Sequence, residues 1–124
     1  MHNHRRLTVW QRSMDLAQSI YGESESFPRS ERFGLAGQMR RASVSVVSNI
    51  AEGASRRTAA DFRRFIDISL GSASELDTQL ELAKWIGLSS SERADSLMAQ
   101  VSEIRAMLVG LRRSLHDQPP ESDI

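Results

Sequence analysis

The sequence predicts an all-α protein, an antiparallel up-and-down four-helix bundle. Three observations lead to this prediction. Apolar residues recur at helical spacing in four segments. The three prolines, Pro28, Pro119 and Pro120, lie outside those segments. The connections between the segments are short, as they are between antiparallel neighbours in a bundle. A chain of 124 residues is long enough for one such domain with a buried core.

The first helix is predicted from about Thr8 to Tyr21. Thr8 has a side chain suited to an N-cap. The stretch from Gly22 to Pro28 is expected to end the helix, because glycine favours a C-terminal cap and the residue before proline leaves the α region. The predicted apolar stripe consists of Trp10, Met14, Ala17 and Tyr21.

The second helix contains the segment SVSVVS at 43–48, whose alternation could also indicate a strand. The alternation fails at Val46 and Val47, which would point to opposite faces of a sheet. We therefore predict a helix over residues 30–52, with Gly53 as its C-terminal stop and the serines permitting close packing. Its apolar stripe is Leu35, Met39, Ala42, Val46 and Ile50.

The third helix is predicted from Thr58, with Asp61 completing a variant of the capping box, to the residue before Gly87. Its apolar positions cover more than one stripe. Gly71 and Ser72, in its middle, favour a close contact or a bend.

The fourth helix is predicted to begin after Ser89, with Glu92 completing a capping box. Its apolar residues follow an uninterrupted heptad seam, which indicates a bundle core. The seam is Leu97, Val101, Ile104, Leu108, Leu111 and Leu115.

Helices three and four carry more apolar surface than one core requires. A helix that is apolar on two sides needs a second partner, so we expect a homo-oligomer. The alternative is a wide core stripe within one chain.

Three regions are expected along the chain: a flexible N-terminal arm at 1–7, the bundle at 8–116 and a polar tail at 117–124. The absence of cysteine excludes a disulfide framework and thiolate metal sites. No apolar run has the length of a membrane span, and the start does not resemble a secretory signal. We expect a cytoplasmic protein.

The catalytic inventory is small. The histidines, His2, His4 and His116, lie near the chain ends, and none has an evident partner. No nucleophile elbow, zinc-protease motif or phosphate-binding glycine loop is present. We therefore expect no enzyme, no metal and no cofactor, with a buried catalytic Glu52 as a distant alternative.

The zero net charge conceals an uneven distribution. Residues 1–60 contain nine arginines and five acidic residues, whereas residues 61–124 contain seven basic and eleven acidic residues. Three arginine doublets suggest a strip that contacts phosphate backbone: Arg40, Arg41, Arg56, Arg57, Arg63 and Arg64. The pairs 56/63 and 57/64 would each share a face if the third helix extended back. The alternative is pairing with Glu52 and Asp61, or solvation.

The polar pair Asn49 and Glu52 stands near the end of the second helix. Such residues bond to neighbouring backbone or to an arginine of an adjacent helix. We expect them to specify the bundle.

Four stretches resemble a known family: VWQRSMDLAQSIY, FGLAGQMRRASVSVVSNIAEGASR, DFRRFIDISLGSASELDTQLELAKWIGL and LVGLRRSL. The chain resembles the four-helix bundle proteins first noticed as reading frames inside intervening sequences of 23S rRNA genes. That family includes the accessory variability protein of diversity-generating retroelements. The resemblance covers about residues 9 to 115.

The resemblance implies a ring-like homopentamer. For the retroelement branch it implies a basic surface that binds RNA or DNA, and a reverse transcriptase partner. The basic positions of the family motif correspond to the three arginine doublets of this chain. The resemblance also implies an architectural role for the small and polar residues of the family motif: Asn49, Glu52, Gly53, Gly71 and Glu75. The retroelement proteins are strongly basic, whereas this chain is neutral, so only a segregated arginine face preserves such binding.

The leading hypothesis is a non-enzymatic, oligomeric nucleic-acid-binding bundle that favours RNA and contacts phosphates without reading bases. The alternative is a protein-interaction or assembly module without nucleic-acid binding.

Overall fold

The computed structural model describes residues 1–116 and confirms the four-helix bundle. The predicted tail at 117–124 lies outside the described residues. Within residues 1–116 there is no strand. The helices are α1 (Thr8–Glu25), α2 (Leu35–Ala54), α3 (Ala59–Trp85) and α4 (Ser91–His116), with short 3-10 helices at His4–Arg6 and Arg29–Glu31.

Each helix packs against two neighbours, α1 and α3 both contacting α2 and α4. Ion pairs show the antiparallel direction. Lys84, near the end of α3, lies 2.8 Å from Asp95 at the start of α4, and Arg93 of α4 lies 3.2 Å from Glu23 near the end of α1. The chain therefore runs up and down around a single core.

The predicted stripes of α2 and α4 form much of that core. In both helices the stripe residues are buried, except Leu35 and Leu111, which pack partly buried at its edge. The largest fully buried side chains come from all four helices: Phe62, Leu16, Ile20, Met39, Ile50, Ile66, Leu76, Leu80, Leu97, Ile104, Leu108 and Leu115.

The predicted stripe of α1 is wrong by one residue. Met14 and Tyr21 are exposed, and the helix instead buries Val9, Ser13, Leu16, Ile20 and Ser24. Ser13 and Ser24 interrupt the apolar pattern of the true core face. Trp10 and Tyr21, at the border of that face, follow the same helical spacing as a core stripe. Serine is small enough to let a neighbouring helix approach, which the hydrophobic pattern does not record.

The predicted ends of α1 also need correction. Gly22 lies inside the helix, which continues to Glu25, because one glycine costs only about 1 kcal/mol in a helix. Leu7 occupies the N-cap position without a side-chain hydrogen bond, and Thr8 is the first helical residue.

Helix α2 starts at Leu35, later than predicted, because the chain first forms the short 3-10 helix Arg29–Glu31. Its end is likewise later, with Gly53 as a helical residue and not the stop. The predicted cap of α3 is confirmed, since Thr58 Oγ1 accepts from the Asp61 amide at 3.2 Å.

At the end of α3, Gly87 adopts a φ of 79°, the left-handed conformation that favours glycine after a helix. The cap of α4 is Ser90, whose Oγ accepts from the Arg93 amide, and not Ser89, which is buried.

Helices α2 and α3 form the most extensive contact of the bundle. Gly53 is buried against the first turns of α3, where an added Cβ would lie 2.8 Å from Phe62 Cδ1 and 2.9 Å from Phe65 Cβ. Ser69 Oγ donates to the Val46 carbonyl at 2.8 Å, inside the core. The two helices can approach this closely because their contact positions carry glycine and serine.

The other serine contacts extend the same seam. Ser45 Oγ and Ser72 Oγ lie 2.7 Å apart, whereas Ser48 is exposed. Gly71 also faces outward, and an added Cβ there meets no atom within 4 Å. Packing within one chain therefore requires glycine at position 53 but not at position 71.

Gly53→Ala is expected to destabilise the protein by about 1–3 kcal/mol, because the added methyl group overlaps two phenylalanines. The matched control is Gly22→Ala, where an added Cβ meets nothing within 4 Å. That variant should gain about 0.5–1 kcal/mol from helix propensity. Urea unfolding followed by circular dichroism measures both. Equal stability of the two variants would contradict the close-packing role of Gly53.

Candidate nucleic-acid interface

Folding separates the charges by bundle end. The half formed by residues 1–16, 45–72 and 104–116, here called the basic end, carries ten arginines and four acidic residues. The half formed by residues 17–44 and 73–103, the acidic end, carries six basic and nine acidic residues. The antiparallel topology brings together arginines that are distant in the chain, and it produces a positive field that the neutral total hides.

The first predicted doublet lies at the acidic end. Arg40 is held within the chain: its Nε donates to Ser24 Oγ at 2.8 Å, its Nη2 lies 3.2 Å from Glu25, and its guanidinium covers the Tyr21 ring. Arg41 is exposed on the outer α2–α3 face, in a groove that it shares with Glu75. This doublet is therefore remote from the other two.

The second and third doublets meet at the corner between α2 and α3. The condition for a shared helical face is not met, because Thr58 is extended (φ −117°, ψ 152°) and separates the doublets. Arg63 points toward α4 and donates to the Leu115 carbonyl at 3.0 Å. Arg57 and Arg64 stay exposed.

Phe65 organises the guanidiniums at this corner. Arg56 lies 4.6 Å and Arg64 5.1 Å from the ring centroid. Arg56 also lies 3.1 Å from Glu52, and Arg64 3.7 Å from Asp61. Cation–π contacts and ion pairs restrict these side chains, so the corner presents partly ordered cations to solvent.

The N-terminal segment that was predicted as a flexible arm packs on the basic end. The His2 amide donates to the Ala54 carbonyl at 2.8 Å, and the His2 ring meets Phe62 edge to face. Arg5 lies over the Trp10 ring, which His4 also contacts. The arm thus adds Arg5 and Arg6 to the same end.

Sequence reasoning missed several arginines of this end. Their charge was visible, but their convergence depends on the topology. Within residues 1–116, five arginines of the basic end are exposed and form no ion pair: Arg5, Arg6, Arg57, Arg105 and Arg113. Arg112, in contrast, binds both carboxylate oxygens of Asp67, at 2.6 and 3.0 Å, and holds the pKa of that carboxyl below its usual value.

Asn49 and Glu52, the polar pair near the end of α2, make different contacts. Asn49 Nδ2 donates to the Ser45 carbonyl and hydroxyl, at 2.8 and 3.1 Å, and so stays within its own helix. Glu52 is exposed and pairs with Arg56. The alternative of a buried Glu52 is therefore wrong.

A depression of about 620 Å³ lies at the α2–α3 corner. Cations, carboxylates and hydroxyls surround it: Glu52, Ser55, Arg56, Arg57, Thr58 and Asp61. It is open to solvent, so it can accept part of an extended polymer.

Within residues 1–116, no group of three or more histidine, aspartate or glutamate side chains is arranged to hold a metal ion. None of the helices combines the length and the apolar character needed to cross a membrane.

Comparison with known proteins identifies the family. The profile of the 23S rRNA-intervening sequence proteins matches residues 5–110. The chain belongs to this family. It is also similar in fold to a solved protein of unknown function from the S23 ribosomal protein family of Bacteroides thetaiotaomicron. That match has a TM-score of 0.80 and 24% identity, over 86% of this chain and 99% of the other. No curated protein is significantly similar in sequence.

The docked arm leads to a prediction about pH. Burial lowers the pKa of His2, so its neutral ring stabilises the docked arm. This contribution is complete above the unfolded value of about 6.5 and is lost as the pH falls through the lowered pKa, because the unfolded state then binds more protons. NMR titration of the His2 ring should give a pKa below 6.5. A value at or above 6.5 would contradict the buried position.

Proposed function

We propose that the protein is a nucleic-acid-binding bundle whose basic end contacts the phosphate backbone of RNA or DNA, with RNA preferred, and that it acts by binding and not by catalysis. The observation that supports this proposal most strongly is the set of exposed arginines at the basic end that lack a carboxylate partner within residues 1–116. Arginine suits phosphate because its planar fork can donate two hydrogen bonds to one group.

The chain's own contacts identify which arginines are available. Arg63 holds the end of α4, and Arg112 is neutralised by Asp67. Arg57 at the α2–α3 corner and Arg113 in the last turn of α4 are exposed and have no such bonds to residues 1–116. Phosphate binding therefore centres on these two residues and on the arginines of the arm.

Arg57→Gln combined with Arg113→Gln is expected to weaken binding to a single-stranded RNA about tenfold or more at low salt. Each lost phosphate contact should also reduce the slope of log affinity against log salt by about 0.7. Fluorescence anisotropy across a salt series measures both quantities.

The control is Arg29→Gln combined with Arg32→Gln, which removes two exposed arginines from the acidic end. It should leave affinity nearly unchanged. An equal loss in both double variants would mean that net charge, and not the basic end, determines binding. No binding by the wild-type protein at low salt would refute the proposed function.

A second candidate function, assembly, rests on a different observation. The end of α3 exposes a ridge of Leu82 (44% exposed), Trp85 (75%) and Ile86 (54%). Residues three and four apart lie on one helix face, so this ridge is continuous. Exposed apolar surface of this kind serves protein contacts. We propose that it supports self-association into a ring-like homopentamer, or contact with a reverse transcriptase.

Leu82→Glu is expected to lower the solution mass toward the 13.9 kDa of one chain, because a carboxylate interrupts the ridge. The control is Val109→Glu on α4, a residue equally exposed at 44%. Light scattering after size-exclusion chromatography measures the mass. A monomeric wild-type protein, or an unchanged mass in the Leu82 variant, would exclude self-association through this ridge.

A further inference from the structure

The depression at the α2–α3 corner contains more than a phosphate site needs. Arg57 is available to a phosphate there, yet the carboxylates of Glu52 and Asp61 line the same depression. A carboxylate beside a phosphate is unfavourable unless a cation of the protein neutralises it or it accepts hydrogen bonds from another part of the ligand. The mixture of charges therefore points to a nucleotide, with its phosphate and its base bound by different residues.

The two carboxylates are not equally available. Glu52 Oε1 accepts from Arg56 Nη2 at 3.1 Å. The Asp61 side chain accepts no hydrogen bond within residues 1–116, and its nearest cation, Arg64, lies 3.7 Å away. The side chain of Asp61 is half exposed. Asp61 thus has both oxygens available to a ligand.

Arg56 supplies a surface on which a base can stack. Its guanidinium lies over the Phe65 ring and is bonded at its edge to Glu52, so its plane is restricted before any ligand binds. Unpaired bases stack on arginine planes as they do on aromatic rings. Gly53 contributes indirectly, because its close contact with α3 positions Phe65.

We propose that this corner binds an unpaired guanine, stacked on Arg56 and read by Asp61, with the adjoining phosphate on Arg57. This inference rests on the proposed nucleic-acid binding. Guanine presents two neighbouring N–H donors, N1–H and the 2-amino group, which match the two acceptor oxygens of one carboxylate. Adenine and uracil lack this pair of donors. In a duplex these donors are occupied by base pairing, so the site requires single-stranded nucleic acid.

The test uses fluorescein-labelled RNA of about twelve nucleotides, a length suited to single-strand binding. The three strands are oligouridine with a single central guanosine, adenosine or inosine, so that none of them pairs with itself, and inosine lacks the 2-amino group. The wild-type protein should bind the guanosine strand about tenfold more tightly than the adenosine strand, because a bidentate contact discriminates between bases by about this factor. The inosine strand should lie between them.

Asp61→Asn should reduce the guanosine preference to nearly one while retaining affinity for the adenosine strand. Thr58 caps α3 through the Asp61 backbone amide, so this variant keeps the cap. The matched control is Asp77→Asn, which removes one exposed carboxylate from α3 at the acidic end and should keep the preference.

The outcomes separate the two proposals. The wild-type protein could bind the guanosine and adenosine strands equally, while Arg57→Gln combined with Arg113→Gln still weakens RNA binding. That result would overturn base reading and leave phosphate binding in place. A preference that persists in Asp61→Asn would overturn the role of Asp61. No binding to any strand at low salt would overturn the proposed function itself.

Discussion

The close approach of α2 and α3 shapes both the core of the bundle and its basic end. Gly53 leaves room for Phe62 and Phe65, and Ser69 bonds to the α2 backbone inside the core. Such contacts need small residues, because packed interiors have no spare volume for a methyl group. The contact also determines the position of Phe65, and therefore the position of the guanidiniums stacked on its ring.

The antiparallel topology gives a chain of zero net charge one basic end and one acidic end. The first half of the chain is basic and the second is acidic. The fold does not keep these halves apart; it places the start of α3 and the end of α4 beside the turn that follows α2. The resulting basic end concentrates positive charge, although the whole molecule carries no net charge.

Many arginines of this protein have structural partners. Arg40 joins α2 to α1 through Ser24 and Glu25, and Arg63 closes the end of α4. A basic residue type therefore does not by itself indicate a ligand contact. Within residues 1–116, the arginines available to a ligand are those without a carboxylate or carbonyl partner, and they are interspersed along the sequence with the partnered ones.

The fold class, the seams of α2 and α4 and the cap at Thr58 follow from the amino-acid sequence, because periodicity and capping are local properties. Family membership follows from it as well. Tertiary packing establishes the core face of α1, where Ser13 and Ser24 replace apolar residues. It alone assembled the basic end and removed Arg40 and Arg63 from the candidate phosphate contacts. Charge convergence and side-chain partners depend on distances between segments far apart in the chain, and no local pattern encodes those distances.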